Sequence, residues 1–387
     1  MLCLDLFSGI GGQSLALKAA GINTIAYCDI DHRNIDILRS NMKRGRLDNT
    51  PILPNATKLT QRDIPKDKKG RTQHVDMIAA GFPCVGLSAM GHKKGLYGDS
   101  RTNLVKHVFR LVEELKPSYV FLENVPNILR YKHYRDMIGR FTRLHYRCAY
   151  MVNTASQYGA QHVRARWFML CQRNGAPPLN PKDGVTKLSG YFNQHVKHKV
   201  LPREKYGQWA STICHAFGNS VVPAQANGAL AMLAEMLNAP ESSLKAVQFD
   251  RLNRMMPTLA LSPTQYYHDE NYKVPSMQCN GKGFTVIPPT PPLSYTSQMS
   301  LPLLKAPFTS MCVPTPGTSN CSTPIPTMSR RTKGMAGNFL LSSPQFWNGK
   351  MPNHTARMRS IVSDQYWAKI MGFPKDWIRQ SLEQTHR

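Results

Sequence analysis

The sequence lacks any apolar run approaching the ~20 residues that a membrane-spanning helix needs, so no helical span is expected. Its nine cysteines, at 3, 28, 84, 148, 171, 214, 279, 312 and 321, contain no C-x-x-C pair. An odd count without paired spacing argues against a disulfide framework, and with the 13 histidines it offers no zinc-ligand spacing. Reduced thiols and no metal are expected. Acidic residues are scarce: 23 Asp plus Glu face 49 Lys plus Arg, a formal charge of +26. That surplus calls for a polyanionic partner, and nucleic acid is the first candidate. The opening Met1-Leu2-Cys3-Leu4-Asp5 puts an acid where a secretion signal needs its apolar stretch, so an intracellular address is expected. What is present is 41% hydrophobic residues over 387 positions, enough for one large domain plus a smaller one without wholesale disorder.

Over the first 172 residues short apolar runs alternate with helix-like periodicity, the α/β signature. Strands are expected at 2–6, 23–28, 75–80, 118–122, 149–154 and 167–171, with crossover helices at 13–20, 33–42, 101–115 and 125–141 on a mostly parallel sheet. Residues 173–205, rich in Pro, Gly, Lys and His, read as a surface excursion, and 221–237 as one more helix. Beyond about residue 240 the texture changes: more than half of the 28 prolines lie there, among many Ser and Thr. Composition alone would allow a loose tail. Phe284, Tyr295, Phe308, Phe339, Phe346 and Trp347 supply apolar anchors that such a tail usually lacks. Short units such as Val313-Pro314-Thr315-Pro316 recur without a fixed period, so no solenoid is read, and a last helix is expected at 364–371.

Five features stand at or beside successive strand ends. Asp5-Leu6-Phe7-Ser8-Gly9-Ile10-Gly11-Gly12 joins the first strand to the first helix, where glycines turn tightly and let backbone approach a ligand. It could equally be tight packing. Asp29 and Asp31, after the second strand, sit where an acid can hold ribose hydroxyls, a spacing that suits an adenosine ligand. Gly81-Phe82-Pro83-Cys84 places a thiol on a loop at a carboxyl strand end; an isolated cysteine is more often a small buried residue than a nucleophile. Glu123-Asn124-Val125 puts a carboxylate on the same edge, and Arg164-x-Arg166 adds two forked cations before a further strand. Helix capping and surface salt bridging would explain each singly, but their succession calls for one cause.

The set resembles the DNA (cytosine-5) methyltransferase family, whose motifs run D-L-F-x-G-x-G-G, an acid after the second strand, G-F-P-C-Q-x-x-S, E-N-V and Q-x-R-x-R. They read here as Asp5–Gly12, Asp29, Gly81–Ser88, Glu123–Val125 and His162–Arg166. Gly218-Asn219-Ser220-Val221-Val222-Pro223 is similar to the family's closing motif, and Arg359 through Gly372-Phe373-Pro374 and Trp377 to the motif that usually precedes it. The resemblance implies a Rossmann-like S-adenosylmethionine-dependent methyltransferase sheet with helices on both faces, plus a smaller loop-rich target-recognition domain. It implies a catalytic set of Cys84 (nucleophile at C6 of cytosine), Glu123 (at N3), Arg166 (at O2), Arg164 (at a neighbouring phosphate) and Pro83. It implies a cofactor set of Phe7, Gly9, Gly11, Asp29, Asn55, Phe82, Asn219 and Ser220. The implied partner is double-stranded DNA, with the target base flipped out, and the implied protein is a monomer without metal, in a bacterial host or in the nucleus or cytoplasm of an infected cell.

The motif order departs from the family's, because the closing motif precedes the Gly-Phe-Pro motif. The chain is therefore expected to divide into a catalytic domain at 1–240, a target-recognition region at 241–350 and a C-terminal segment at 351–387. Val85 stands at the family's Gln position after the cysteine, Asn55 at that of an acid meeting the adenine amine, and His162 at that of the Gln in the arginine motif. Asn55 keeps a carbonyl acceptor, whereas Val85 has no polar handle for the base. These departures and the compact spacing resemble versions from phages and large DNA viruses. Two other readings stand beside this one. A tRNA cytosine-5 methyltransferase would carry a Cys-Phe-Thr signature, which is absent; a catalytically impaired DNA-binding relative would have less reason to retain Cys84, Glu123 and both arginines.

Overall fold

The computed structural model describes residues 1–83, 104–130, 133–162, 164–238, 277–279, 282–284, 352–353, 355–356 and 359–378. Cys84, Val85 and nearly all of 241–350 lie outside the described residues.

A seven-stranded sheet organises the chain, in the order β3-β2-β1-β4-β5-β7-β6. Its strands are β1 (Leu2–Leu6), β2 (Asn23–Cys28), β3 (Ile52–Leu53), β4 (Met77–Ala80), β5 (Tyr119–Asn124), β6 (Tyr146–Thr154) and β7 (Ala165–Arg173). The first five run parallel, while β7 is antiparallel to both β5 and β6. The expected strands are all present, and the sheet is mostly parallel as read.

Near-continuous apolar runs in these strands follow from burial of both faces. Leu4, Leu6, Ile78, Ala80, Val120 and Leu122 pack with α3 (Val105–Leu115) and α4 (His133–Arg143) through Val108, Phe109, Leu111 and Phe141. The alternate residues Cys3, Met77, Ala79, Tyr119 and Phe121 pack with α1 (Gly12–Ala19) and a later helix, α7 (Pro223–Asn238), through Leu17, Leu230 and Leu233. Helices thus cover both faces. Because β1 leads outward to β2 and β3 and the chain then returns to β4 beside β1, the topological switch lies between β1 and β4. A ligand crevice is expected outside the carboxyl ends of those strands.

Three expectations change. The stretch 125–141 is not one helix: a 3-10 turn at Pro126–Arg130 precedes α4, although Ile128, Met137 and Phe141 share one core and so keep an apolar period. The 173–205 stretch is not wholly a surface excursion. It holds α5 (Val185–Ser189) and β8 (Val200–Pro202), and buries Val185, Leu188 and Phe192. Helix α6 (Arg203–Asn219) was not read from the sequence, because its buried face is filled largely by small residues, Ala210, Cys214 and Ala216 beside Ile213 and Phe217.

Helix α5 packs against α1 and α7, whereas β8 and α6 find partners at the far end of the chain. There β11 (Ser360–Val362) pairs antiparallel with β8 and leads into α8 (Asp364–Ile370), close to the helix expected. Tyr366, Trp367, Ile370, Phe373 and Trp377 are buried in one cluster with α2 (His32–Lys43) and α6. In the region between, a short antiparallel pair, β9 (Met277–Cys279) and β10 (Lys282–Phe284), is described. Among the described residues no helix is long and apolar enough to cross a membrane.

Candidate active site

The loop after β1 bends through positive φ at Phe7 (56°), Gly9 (55°) and Gly11 (84°). A non-glycine residue such as Phe7 adopts that region at a cost and needs outside support. Ser8 N–H donates to the Cys28 carbonyl (3.0 Å), Gly11 N–H to the Ser8 carbonyl (2.9 Å), and Gly9 N–H to Asp29 Oδ2 (2.7 Å). Asp29 follows β2, and its Oδ1 accepts from Asp31 N–H (2.9 Å) and Asn34 Nδ2 (3.2 Å). Burial raises the Asp29 pKa, and these three N–H donors oppose the rise. Asn55 lies just past β3, next to β2, half-buried, with Oδ1 accepting from Thr57 N–H (2.9 Å).

The closing motif returns to this loop. A Cβ on Gly12 would lie 2.5 Å from Ser220 Oγ and 2.8 Å from the Val221 carbonyl, so only glycine permits the approach. Asn219 is exposed, and its Nδ2 lies 3.1 Å from His215 Nε2.

On the other side of the switch, β4 runs into Gly81-Phe82-Pro83. Phe82 is buried, its carbonyl accepting from Asn124 Nδ2 (3.1 Å), and Pro83 is half-buried. Glu123, near the carboxyl end of β5, points toward this turn: its Oε2 lies 3.2 Å from where a Gly81 Cβ would be. Its Oε1 is 3.1 Å from Arg166 Nε on the neighbouring strand β7. Burial raises the Glu123 pKa, and the charges of Arg166 and Arg164 oppose the rise. The result is a carboxyl group that takes up a proton more readily than a solvated one.

Arg164 does not face outward toward a phosphate. It is buried, with φ 34°, and Nη2 donates to the Gly218 carbonyl (2.8 Å) and to the Ser220 carbonyl. A buried guanidinium needs acceptors, and the carbonyls ending α6 supply them at the negative end of a helix dipole. Its role here is to brace the closing motif. His162 is buried as well, with Nε2 2.7 Å from the Ile370 carbonyl. Burial, and then the charge of Arg164, lower its pKa to about 3, so the ring is neutral and Nε2–H donates.

Two residues that the sequence motifs contain, Asp5 and Trp377, support the loop through contacts that the motifs did not reveal. Asp5 is wholly buried in β1, accepting from Ser14 Oγ, and burial raises its pKa to about 7. Trp377 donates Nε1–H to the Ile10 carbonyl in the loop (2.8 Å). A buried acid inside a strand and a contact spanning 367 positions are both invisible to local pattern.

The chain is similar to known proteins over much of its length. The model of a family described as C-5 cytosine-specific DNA methylase matches residues 1–387. The chain is 31% identical over 224 residues to the type II methyltransferase M.CviJI of Paramecium bursaria Chlorella virus IL3A, covering 57% of this chain and 56% of that one. It is 31% identical over 202 residues to the type II methyltransferase M.HhaI of Haemophilus parahaemolyticus, covering 51% and 56%. It thus spans about half the length of the curated relatives it matches. Among solved structures, a putative DNA modification methyltransferase encoded within an E. coli prophage aligns at 29% identity and a TM-score of 0.37, covering 45% of this chain and 47% of that one.

Proposed function

The chain belongs to the C-5 cytosine-specific DNA methylase family, and on that premise we propose that it transfers a methyl group from S-adenosylmethionine to C5 of a cytosine flipped out of duplex DNA. The observation that carries this reading is the half-buried Glu123–Arg166 pair at the edge of β5 and β7, beside the Gly81-Phe82-Pro83 turn and across the switch point from the cofactor loop. That the relatives are named type II methyltransferases supports it.

The residues around the loop fit the cofactor. Around Gly9 no atom lies within 4 Å of where a Cβ would sit, so the loop is open on that side. Asp29 Oδ2 accepts one N–H and retains capacity for a ribose hydroxyl. The neighbouring Ile30 is 72% exposed and offers an apolar face for a purine ring. Phe7, Gly9, Gly11, Asn55, Phe82, Asn219 and Ser220 complete the set. S-adenosylmethionine supplies an electrophilic methyl group.

C5 of cytosine is a weak nucleophile until the ring is activated. The Cys84 thiolate adds to C6, and the displaced ring electrons spread toward N3, where Glu123 holds or donates a proton. Arg166 keeps Glu123 in place and steadies O2, and Pro83 shapes the turn that carries the nucleophile. After C5 takes the methyl group, loss of the C5 proton returns an electron pair to the ring and expels the thiolate. A base stacked in a duplex cannot present C6 to a thiol, so flipping is part of the proposal. Residues 1–240 carry this chemistry, 241–350 read the target sequence, and the basic surplus holds phosphates.

Labelled methyl transfer tests the reading. Incorporation into duplex DNA but not tRNA is expected, together with covalent trapping on a 5-fluorocytosine duplex, because fluorine cannot leave as a proton does. Label in tRNA alone points to the tRNA enzyme, and binding without transfer to the impaired relative.

A further inference from the structure

Among the described residues, three outside the cofactor loop anchor it by hydrogen bonds. Two are local in sequence: the Cys28 carbonyl and the Asp29 carboxylate, both within 22 positions of the loop. The third is Trp377, whose indole N–H reaches the Ile10 carbonyl from the other end of the chain. Its setting is built for that contact. The indole is fully buried, in contact with Phe373, whose own ring lies against Gly12. Helix α2, which begins just after Asp29 and Asp31, grips the backbone on either side of the indole: Asn41 Nδ2 donates to the Trp377 carbonyl (2.8 Å) and Arg44 Nη1 to the Asp376 carbonyl (2.7 Å). The same segment accepts from His162 at Ile370, two residues before Arg164.

We propose that residues 359–378 form a strap and that Trp377 is a positioning residue, holding the cofactor loop in its binding shape through the Ile10 carbonyl. The physical reason is that the loop carries positive φ at Phe7, a conformation maintained only where surrounding contacts over-determine it. Ile10 is buried, so without the indole its carbonyl would lose its partner away from water. The strap follows the proposed recognition region in the chain, so cofactor affinity would depend on a segment that can seat only after that region has been traversed. This rests on the cofactor reading above for its binding readout, but the loop geometry can be tested without it.

The experiment compares the full-length chain with Trp377→Phe, which keeps the ring and removes the donor. Calorimetry with S-adenosylmethionine should show affinity about 3- to 10-fold weaker, the worth of one buried hydrogen bond. The cofactor KM should rise while kcat at saturating cofactor is retained. Ile138→Val, in α4 and outside both the strap and the loop, is the control: it should lower thermal stability and leave cofactor affinity unchanged. A folded Trp377→Phe protein with affinity within twofold of wild type overturns the proposal. If the wild type binds no S-adenosylmethionine, the function reading fails instead, and hydrogen exchange decides the strap. In the wild-type chain, the Gly11 amide and the Trp377 indole N–H should share one opening event. A Gly11 amide exchanging about 100-fold faster than the indole, after correction for intrinsic rates, would show the loop opening with the strap closed and would overturn it.

Discussion

Asp29 and Glu123 are two carboxylates at the same edge of one sheet, and burial raises the pKa of both. What opposes the rise differs. Around Asp29 it is fixed N–H dipoles from Gly9, Asp31 and Asn34, all within 20 residues. Around Glu123 it is the charge of Arg166, on a strand 43 positions away. Two of these dipoles, from Gly9 and Asp31, are locked in the backbone and do not move, so Asp29 suits accepting bonds from neutral hydroxyls. A cation on a long side chain can share or yield its partner, so Glu123 suits exchanging a proton. One edge therefore offers two carboxylates suited to different tasks, and the environment rather than the residue type separates them.

Removing the nucleophile should separate the two ends most sharply. Cys84→Ser is expected to abolish turnover, to below a few per cent in methyl-transfer assays, while calorimetry finds cofactor affinity intact; residual activity above that level removes Cys84 from its role. Glu123→Gln keeps size and loses the titration, and should cost roughly 10²–10⁴ in kcat. Cofactor affinity should again hold, and a fall there would mean that the two ends are not independent. Replacing 241–350 by a short linker should leave residual methylation without site preference, read by bisulfite mapping; an unchanged preference would move recognition into the catalytic domain. Asp29→Ala acts at the opposite end: cofactor affinity should weaken by about 1.5–3 kcal/mol, the worth of hydrogen bonds to a charged acceptor.

A further effect, on stability rather than on activity, concerns the acid beneath the loop. Asp5 has a folded pKa of about 7 against ~3.9 in an unfolded chain. Between those values the folded state binds more protons, so stability falls as pH rises from about 4 to 7 and is flat above. His162, with a pKa of about 3, works in the opposite sense: it is neutral when folded and costs stability as pH falls below ~6.5. Over about pH 4–6.5 the two contributions oppose each other, so denaturant titrations should show Asp5→Asn leaving a stability that rises with pH and His162→Gln leaving one that falls. Equal slopes in variant and wild type would mean that these groups are not buried as described.

The strands, their order of motifs and the residues Asp29, Glu123 and Arg166 could be read from the chain, because each depends on local pattern: apolar runs ending in Gly, Asp or Glu announce a parallel sheet and its ligand edge. Burial of both sheet faces makes those runs nearly continuous, which is why all six expected strands were found. Helix α6 was missed because Ala210, Cys214 and Ala216 make a weak apolar stripe, and Val185, Leu188 and Phe192 read as surface because what covers them is distant in sequence: α1 and α7 for the helix of Val185 and Leu188, and Gly372 for Phe192. Arg164 looked like a phosphate ligand; only the fold brings it to the end of α6, where carbonyls lacking helical partners accept its donors. The seating of Trp377 on Ile10 and of Ser220 on Gly12 likewise needed the tertiary structure. A hydrogen bond between positions 377 and 10 leaves no periodicity in sequence, because what joins them is the closure of the chain around a shared core rather than any local preference of the backbone.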